Sequence, residues 1–318
     1  MQLPEIEVIF SCSEDNFLPA VDVWIVIDVL RATTMITRWF ELGGTELYPV
    51  RNPDEAKKLI SDLRERGSDP LLMGEVNGIP PEGFDLGNSP AELNYKIVQD
   101  HYCGVISTTN GTVALLEAAS SGSPVIASSL RNASAVMDHA LTLGNNIGVL
   151  CSGRKGRPCL EDTLCAGALV DDLNFRYANK ILMSDSAKIA LTVWNDRGEN
   201  LEEYIKKSDH AKFLEHIGFS EDIKFCSEYD ACTVVPMLFN DKNEHTILRS
   251  VIGSSKPHAE RIKPLEQNKI SHPELEPVKK INDPFEELLQ YTRKPSQYFY
   301  IHNHSHNNYN NHKSKEHK

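Results

Sequence analysis

The stretch VDVWIVIDVLRATTMITRWFELGG, Val21–Gly44, carries the reading on which the fold turns. Val23–Ile27 is an unbroken run of β-branched and aromatic residues, the composition of a short strand buried on both faces. The period then changes: Ala32, Met35, Ile36, Trp39 and Phe40 recur on one helical face, and Gly43-Gly44 stops the helix. Between strand and helix stand Asp28, Arg31, Thr33 and Thr34. A carboxylate at the end of a buried strand is costly unless something pairs with it. Asp28 either caps the helix beside Arg31, or it holds Mg²⁺ or a phosphoryl group while Arg31 offers a fork to an anion.

The same grammar repeats along the first half of the chain. TELYPV (45–50) precedes NPDEAKKLISDLRERG (52–67), where Asn52 caps, Pro53 takes the first helical position and Ala56, Leu59, Ile60 and Leu63 form the stripe. CGVIS precedes GTVALLEAASSG, SPVIASS precedes NASAVMDHALTLG, and NNIGVLCSG precedes EDTLCAGALVDDL. Alternating strands and helices predict an α/β fold, a layered mixed or mostly parallel sheet with helices on both faces, with two subdomains left open. From Ser184 the pattern is more helical and ends in the apolar ACTVVPMLF (231–239).

Residues 1–240 are therefore expected to form the catalytic region. Residues 241–318 read as a polar extension with one short helix-like piece, DPFEELLQY, and a His/Asn-rich tail whose low complexity predicts disorder.

Composition excludes several classes. The 318 residues carry 45 acidic and 33 basic side chains, a formal charge of −12, which argues against a nucleic-acid footprint. No apolar run has the length of a membrane span, and the first residues lack a signal-peptide pattern, so a cytoplasmic protein without a membrane partner is expected. Seven scattered cysteines without C-x-x-C fit reduced thiols better than disulfides or zinc. A homo-oligomer is left open.

Three further loops carry chemistry. GEVNGIPPEGFDLGNSPAELN (74–94) brings Glu75 and Asp85 into a long Gly/Pro-rich loop and ends on Ser89-Pro90-Ala91-Glu92, the pattern of a capping box that would set Asn88 and Ser89 at an anion-favouring helix N-terminus. STTNGT (107–112) sets Thr109, Asn110, Gly111 and Thr112 between strand and helix as an oxyanion cradle or an N-cap. CSGRKGRPCLEDTLCAG (151–167) combines cationic Arg154, Lys155 and Arg157 with Glu161-Asp162 in a helical first turn, where acids also complement the dipole. Each loop alone admits a bland reading as a cap or solvated turn. Placed together on one sheet edge, the four loops supply carboxylates, cations and helix N-termini for Mg²⁺-assisted chemistry on a small anionic phosphate ester. The D-x-D motif of haloacid-dehalogenase-type phosphatases is incomplete, because Leu30 stands where its proton donor would be.

DVLRATT, GE leading into GFDLGNSP, TTNGT and SGR…EDTLCAG occur in the order and at roughly the spacing of the 2-phosphosulfolactate phosphatase family, which the chain resembles over about Ile6–Leu238. The resemblance implies a layered α/β phosphatase that uses Mg²⁺ to hydrolyse 2-phospho-3-sulfolactate to 3-sulfolactate and phosphate, a step of coenzyme M biosynthesis. It implies Asp28, Glu75, Glu161 and Asp162 around the metal, with Asp28 as nucleophile or ligand. Thr33, Thr34, Asn88, Ser89, Thr109, Asn110, Gly111 and Thr112 would meet the phosphoryl group, and Arg31 and Arg154 would neutralise the anions. Val76 departs from the Arg frequent after the motif's Glu. A phosphatase of another small hydroxy or sugar acid, and a non-catalytic anion-binding regulator, stay open beside this reading.

Overall fold

A computed structural model describes residues 3–13, 18–101, 103–243 and 245–252. The expected tail and the DPFEELLQY helix lie outside these residues. The chain runs β1 (Glu5–Ile9), β2 (Val23–Ile27), α1 (Ala32–Glu41), β3 (Glu46–Val50), α2 (Pro53–Glu65), β4 (Leu71–Gly74), α3 (Tyr95–Asp100), β5 (Cys103–Ser107), α4 (Gly111–Ser120), β6 (Val125–Ser128), α5 (Ala133–Leu143) and β7 (Asn146–Cys151). It continues through α6 (Leu160–Arg176), β8 (Leu182–Met183), α7 (Asp185–Asp196), α8 (Leu201–Ile205), α9 (Asp209–His216), α10 (Ser220–Cys226), β9 (Pro236–Asn240) and β10 (Thr246–Ser250). The layered α/β expectation holds.

Strand order is β4-β5-β3-β10-β9-β6-β2-β7-β1-β8. Strand β2 is buried at every position, and its alternation divides its side chains between two cores. Val23, Ile25 and Ile27 meet α5 and α6 on one face, while Trp24 and Val26 meet α1 and α4 on the other. Two apolar faces explain why this strand reads as continuous instead of alternating. A third cluster joins Tyr48, Leu72, Val105 and Ile247 to the α2 stripe Ala56, Leu59, Ile60 and Leu63.

The expectation that four loops share one sheet edge needs correction. β6, β2, β7, β1 and β8 form one parallel block, and β4, β5 and β3 form another. The hairpin β9–β10 joins them through three antiparallel steps, β3–β10, β10–β9 and β9–β6. An odd number of reversals makes the two blocks run in opposite senses. Asp28 and Glu161-Asp162 follow strands of one block, whereas Glu75 and Thr109 follow strands of the other. They still meet, because α4 leaves β5 and packs on β2, β6 and β7 as well as β3.

The sequence-based boundary at residue 240 falls inside that hairpin. β10 pairs with β9 over five residues and with β3 at Leu47–Leu248, and Ile247 and Leu248 are fully buried. A polar, Lys-containing neighbourhood hides this short strand from composition. Two aliphatic side chains at about 1.5–3 kcal/mol each, together with the ladder, amount to much of a marginal domain stability. Ending the chain at Asn240 is expected to abolish a cooperative thermal transition, as read by circular dichroism. A sharp melt close to that of the full chain would contradict this placement of β10.

Candidate active site

Asp28 sits where β2 gives way to α1, and the local sequence explains its pose. Its N–H donates to Thr33 Oγ1 at 3.0 Å, and Thr33 Oγ1 donates back to the Asp28 carbonyl at 2.8 Å. Thr34 Oγ1 donates to the Val29 carbonyl at 2.8 Å. These hydroxyls tie down the turn, in the way Ser and Thr side chains satisfy nearby backbone groups. They are fully buried and do not line the cavity described below, so Thr33 and Thr34 shape the site instead of binding phosphate. Asp28 Oδ1 accepts the Ala32 N–H at 3.2 Å. Desolvation raises the Asp28 carboxyl to about 6, with Glu75 adding to the rise while His210 and the Ala32 N–H oppose it.

α4 starts against this carboxylate. A Cβ on Gly111 would lie 2.4 Å from the Ala32 Cβ and 2.7 Å from Asp28 Oδ2, so glycine is what lets the two segments touch. Thr112 does not face a ligand: it exchanges hydrogen bonds with Thr108 and is fully buried. Thr109 and Asn110 do line the cavity, and Asn110 holds the N-cap position of α4 without a side-chain cap.

In the long loop, Glu75 takes the Gly78 N–H on Oε2 at 2.6 Å and the Thr109 N–H on Oε1 at 2.8 Å, stitching two loops of one block together. Asp85 serves the sheet instead, accepting the Leu72 N–H at 2.9 Å. Asn88 and Ser89 are not at a helix start, contrary to the capping-box reading. Residues 90–92 form a turn, the Glu92 N–H reaches Ser89 Oγ at 3.3 Å, and α3 begins later under Asn94, whose side chain caps it. Ser89 Oγ instead donates to Asp222 Oδ1 at 2.6 Å. Asn88 lines the cavity, and its buried Oδ1 has no hydrogen-bond partner among the described residues.

Arg31 also differs from its expected role as an open anion clamp. Nη1 is paired with Asp222 Oδ2 at 2.7 Å, Nη2 donates to the Gly78 carbonyl at 2.8 Å, and the guanidinium lies 4.3 Å from the centroid of the Phe219 ring. Both charged groups are almost wholly buried. Arg31 thus fastens the Glu75 loop to α10 while it lines one wall of the cavity. Asp222 escaped the sequence reading because Glu221-Asp222 looks like an ordinary acidic first turn.

The start of α6 lies beneath Asp28. Asp162 accepts the Val29 N–H at 2.9 Å and the Gly153 N–H at 3.1 Å, and burial with the charge of Asp28 pushes its carboxyl well above the usual range. Glu161 is 1% exposed and faces His210, whose Nδ1 lies 3.2 Å from Oε1. His210 was not singled out in the sequence, where it sits in a charged helical stretch without a motif.

These elements enclose a cavity of about 120 Å³, lined among others by Asp28, Glu75, Asn88, Thr109, Asn110, Arg154 and His210. A wider cavity of about 600 Å³ shares Arg154, Lys155 and His210 with it and adds Arg157 and Lys207. The cation rim is therefore real in space, and Arg154 also stacks 4.6 Å from the Phe213 ring centroid.

The four-carboxylate metal set does not assemble. Among the described residues no three His, Cys, Asp or Glu side chains come together as a metal-holding group. Asp162 accepts two backbone N–H groups, as Glu75 does, but unlike Glu75 it does not line the small cavity, and Glu161 is turned to His210. Asp28 and Glu75 are the two acids that line the small cavity. One or two carboxylates, completed by water and substrate phosphate, is the donor set Mg²⁺ commonly takes, so the residues present fit that ion with two ligands instead of four.

A buried strand-end carboxylate, an anion-sized cavity and a cationic rim on an α/β fold are the equipment of an enzyme that works on phosphate esters. Residues 12–241 match the family model described as 2-phosphosulpholactate phosphatase, and the chain belongs to this family of phosphoric monoester hydrolases. A relative from Pseudothermotoga lettingae, named "Probable 2-phosphosulfolactate phosphatase", is 38% identical over 221 residues, 69% of this chain and 91% of its own length. Relatives of the same name come from Deinococcus radiodurans, at 36% identity over 68% of this chain and 88% of theirs, and from Thermus thermophilus, at 35% over 72% and 92%. No helix of the described residues is long and apolar enough to cross a membrane.

Proposed function

We propose that this protein hydrolyses 2-phospho-3-sulfolactate to 3-sulfolactate and phosphate in the cytoplasm, with Mg²⁺, in the reaction order that leads to coenzyme M. The observation that carries the reading is Asp28, 6% exposed, at the wall of a small cavity whose rim bears Arg154 and Lys155. Mg²⁺ held by Asp28 and Glu75 would neutralise phosphoryl oxygens. The remaining work falls to the chain. Asn88, Thr109 and Asn110 present polar groups to the phosphoryl oxygens, and the Gly111 contact keeps the α4 N-terminus close to Asp28. The substrate bears phosphate, carboxylate and sulfonate, and the cations Arg154, Lys155, Arg157 and Lys207 around the outer cavity match that charge. The same rim would accept another small phosphorylated hydroxy acid.

Phosphate release from 2-phosphosulfolactate, phospholactate and phosphoglycerates, with and without Mg²⁺, separates these readings. The expected result is fastest turnover of 2-phosphosulfolactate, lost on chelation and restored by Mg²⁺. Silence toward all of these esters would sink the catalytic reading.

A further inference from the structure

We propose that His210 is the proton donor to the leaving oxygen of the phosphate ester, held in place by Glu161. The inference rests on the phosphatase reading of this cavity and adds to it the acid that the reaction needs. An α-hydroxy acid leaves as an alkoxide, which is too basic to depart unprotonated, so a positioned acid is worth about 10²–10⁴-fold in rate.

The geometry suits His210. Its ring lines both the small and the wide cavity, where they adjoin, which places it between the phosphoryl pocket and the cationic space for the rest of the substrate. Nδ1 lies against Glu161 Oε1 at 3.2 Å, which leaves Nε2 as the ring nitrogen that Glu161 does not engage. Glu161 is fixed in the first turn of α6, and its buried Oε2 has no hydrogen-bond partner among the described residues. A carboxylate that grips one nitrogen of an imidazole sets the tautomer and orientation of the other, the division of labour seen in carboxylate–histidine pairs at large. The His210 ring also sits within electrostatic reach of Asp28.

The step balances. As the attacking oxygen, of water or of Asp28, bonds to phosphorus, the ester P–O bond breaks. The electron pair of that bond goes to the leaving oxygen, which takes the Nε2 proton. The neutral imidazole recovers a proton from the water consumed in releasing phosphate.

The test uses leaving groups. In His210→Gln, turnover of phospholactate is expected to fall by about 10²–10⁴-fold, while p-nitrophenyl phosphate, whose phenolate departs without a proton, loses less than about tenfold. Glu161→Gln should show the same selectivity with smaller losses, and thermal melts of both variants confirm that each is folded. Equal losses on the two esters in both variants would overturn His210 as the acid while leaving the phosphatase reading intact. Wild-type protein that hydrolyses neither ester would overturn both.

Discussion

Asp28→Asn is expected to yield a folded protein that is more heat-stable than the wild type at neutral pH and has lost turnover by about a thousandfold or more. The loss follows from Asp28 being the acid that lines the cavity at the end of β2, whether it attacks phosphorus or binds the metal. The gain follows from linkage. The carboxyl is raised from 3.8 to about 6 by burial, so between those values the native state binds more protons than the unfolded chain. Stability is then fully present below about 4 and falls as pH rises through about 6. Each pKa unit is worth about 1.4 kcal/mol, and each kcal/mol gained shifts the melting midpoint of a domain this size by about 2–4 °C. Melts at pH 4 and pH 7.5 check the sign: the variant should gain at pH 7.5 and match the wild type at pH 4. A variant less stable at pH 7.5, or still active, would remove Asp28 from this role.

Asp222→Ala is expected to be the most destabilising single change at the site. Asp222 is 1% exposed and accepts Arg31 Nη1, Ser89 Oγ and the Ala91 N–H, so its removal strands a buried guanidinium and loosens the long loop. Breaking a buried pair from one side costs about 3–5 kcal/mol, a fall in melting midpoint of roughly 10 °C. Replacing both partners by apolar residues, as in Arg31→Met with Asp222→Leu, should recover part of the stability, because no uncompensated charge remains. Activity should stay low in both, since Arg31 no longer fastens Gly78 and Glu75 beside the cavity. A single variant as stable as the wild type would show that the pair is not what secures the loop.

Much of the architecture was legible in local pattern. The continuous apolar run Val23–Ile27, period 3.6 on α1 and α2, and the Asn52-Pro53 start of α2 all appear as read, with the Asn52 side chain accepting the Glu55 N–H. That Asp28, Glu75, Asn88, Thr109, Asn110 and Arg154 lie in polar loops following strands was also legible, whereas their meeting around one cavity depends on how α4 bridges two strand blocks of opposite sense. Their roles were less so. Thr33, Thr34 and Thr112 carry the hydroxyls that a phosphate site needs, yet the same hydroxyls satisfy the backbone one turn away, and in the structure that shorter reach wins. Ser89 and Glu92 have capping-box spacing, yet the Ser89 hydroxyl goes to a charged acceptor from a distant helix.

Sequence by itself determined the strand–helix units, the two-faced burial of β2 and the set of polar loops, because these depend on residues a few positions apart. Tertiary structure decided which loops meet, through a hairpin that reverses one block of strands against the other and inserts β10 from beyond the expected boundary. It also decided that Arg31 pairs with Asp222, Val29 with Asp162 and Glu161 with His210, partners separated by 191, 133 and 49 residues. In a dry interior a buried charge or donor is costly unless it finds a partner, wherever in the chain that partner lies. Spacing in the sequence does not encode such distant pairings, and they separate the acids left facing the cavity from those spent on holding it together.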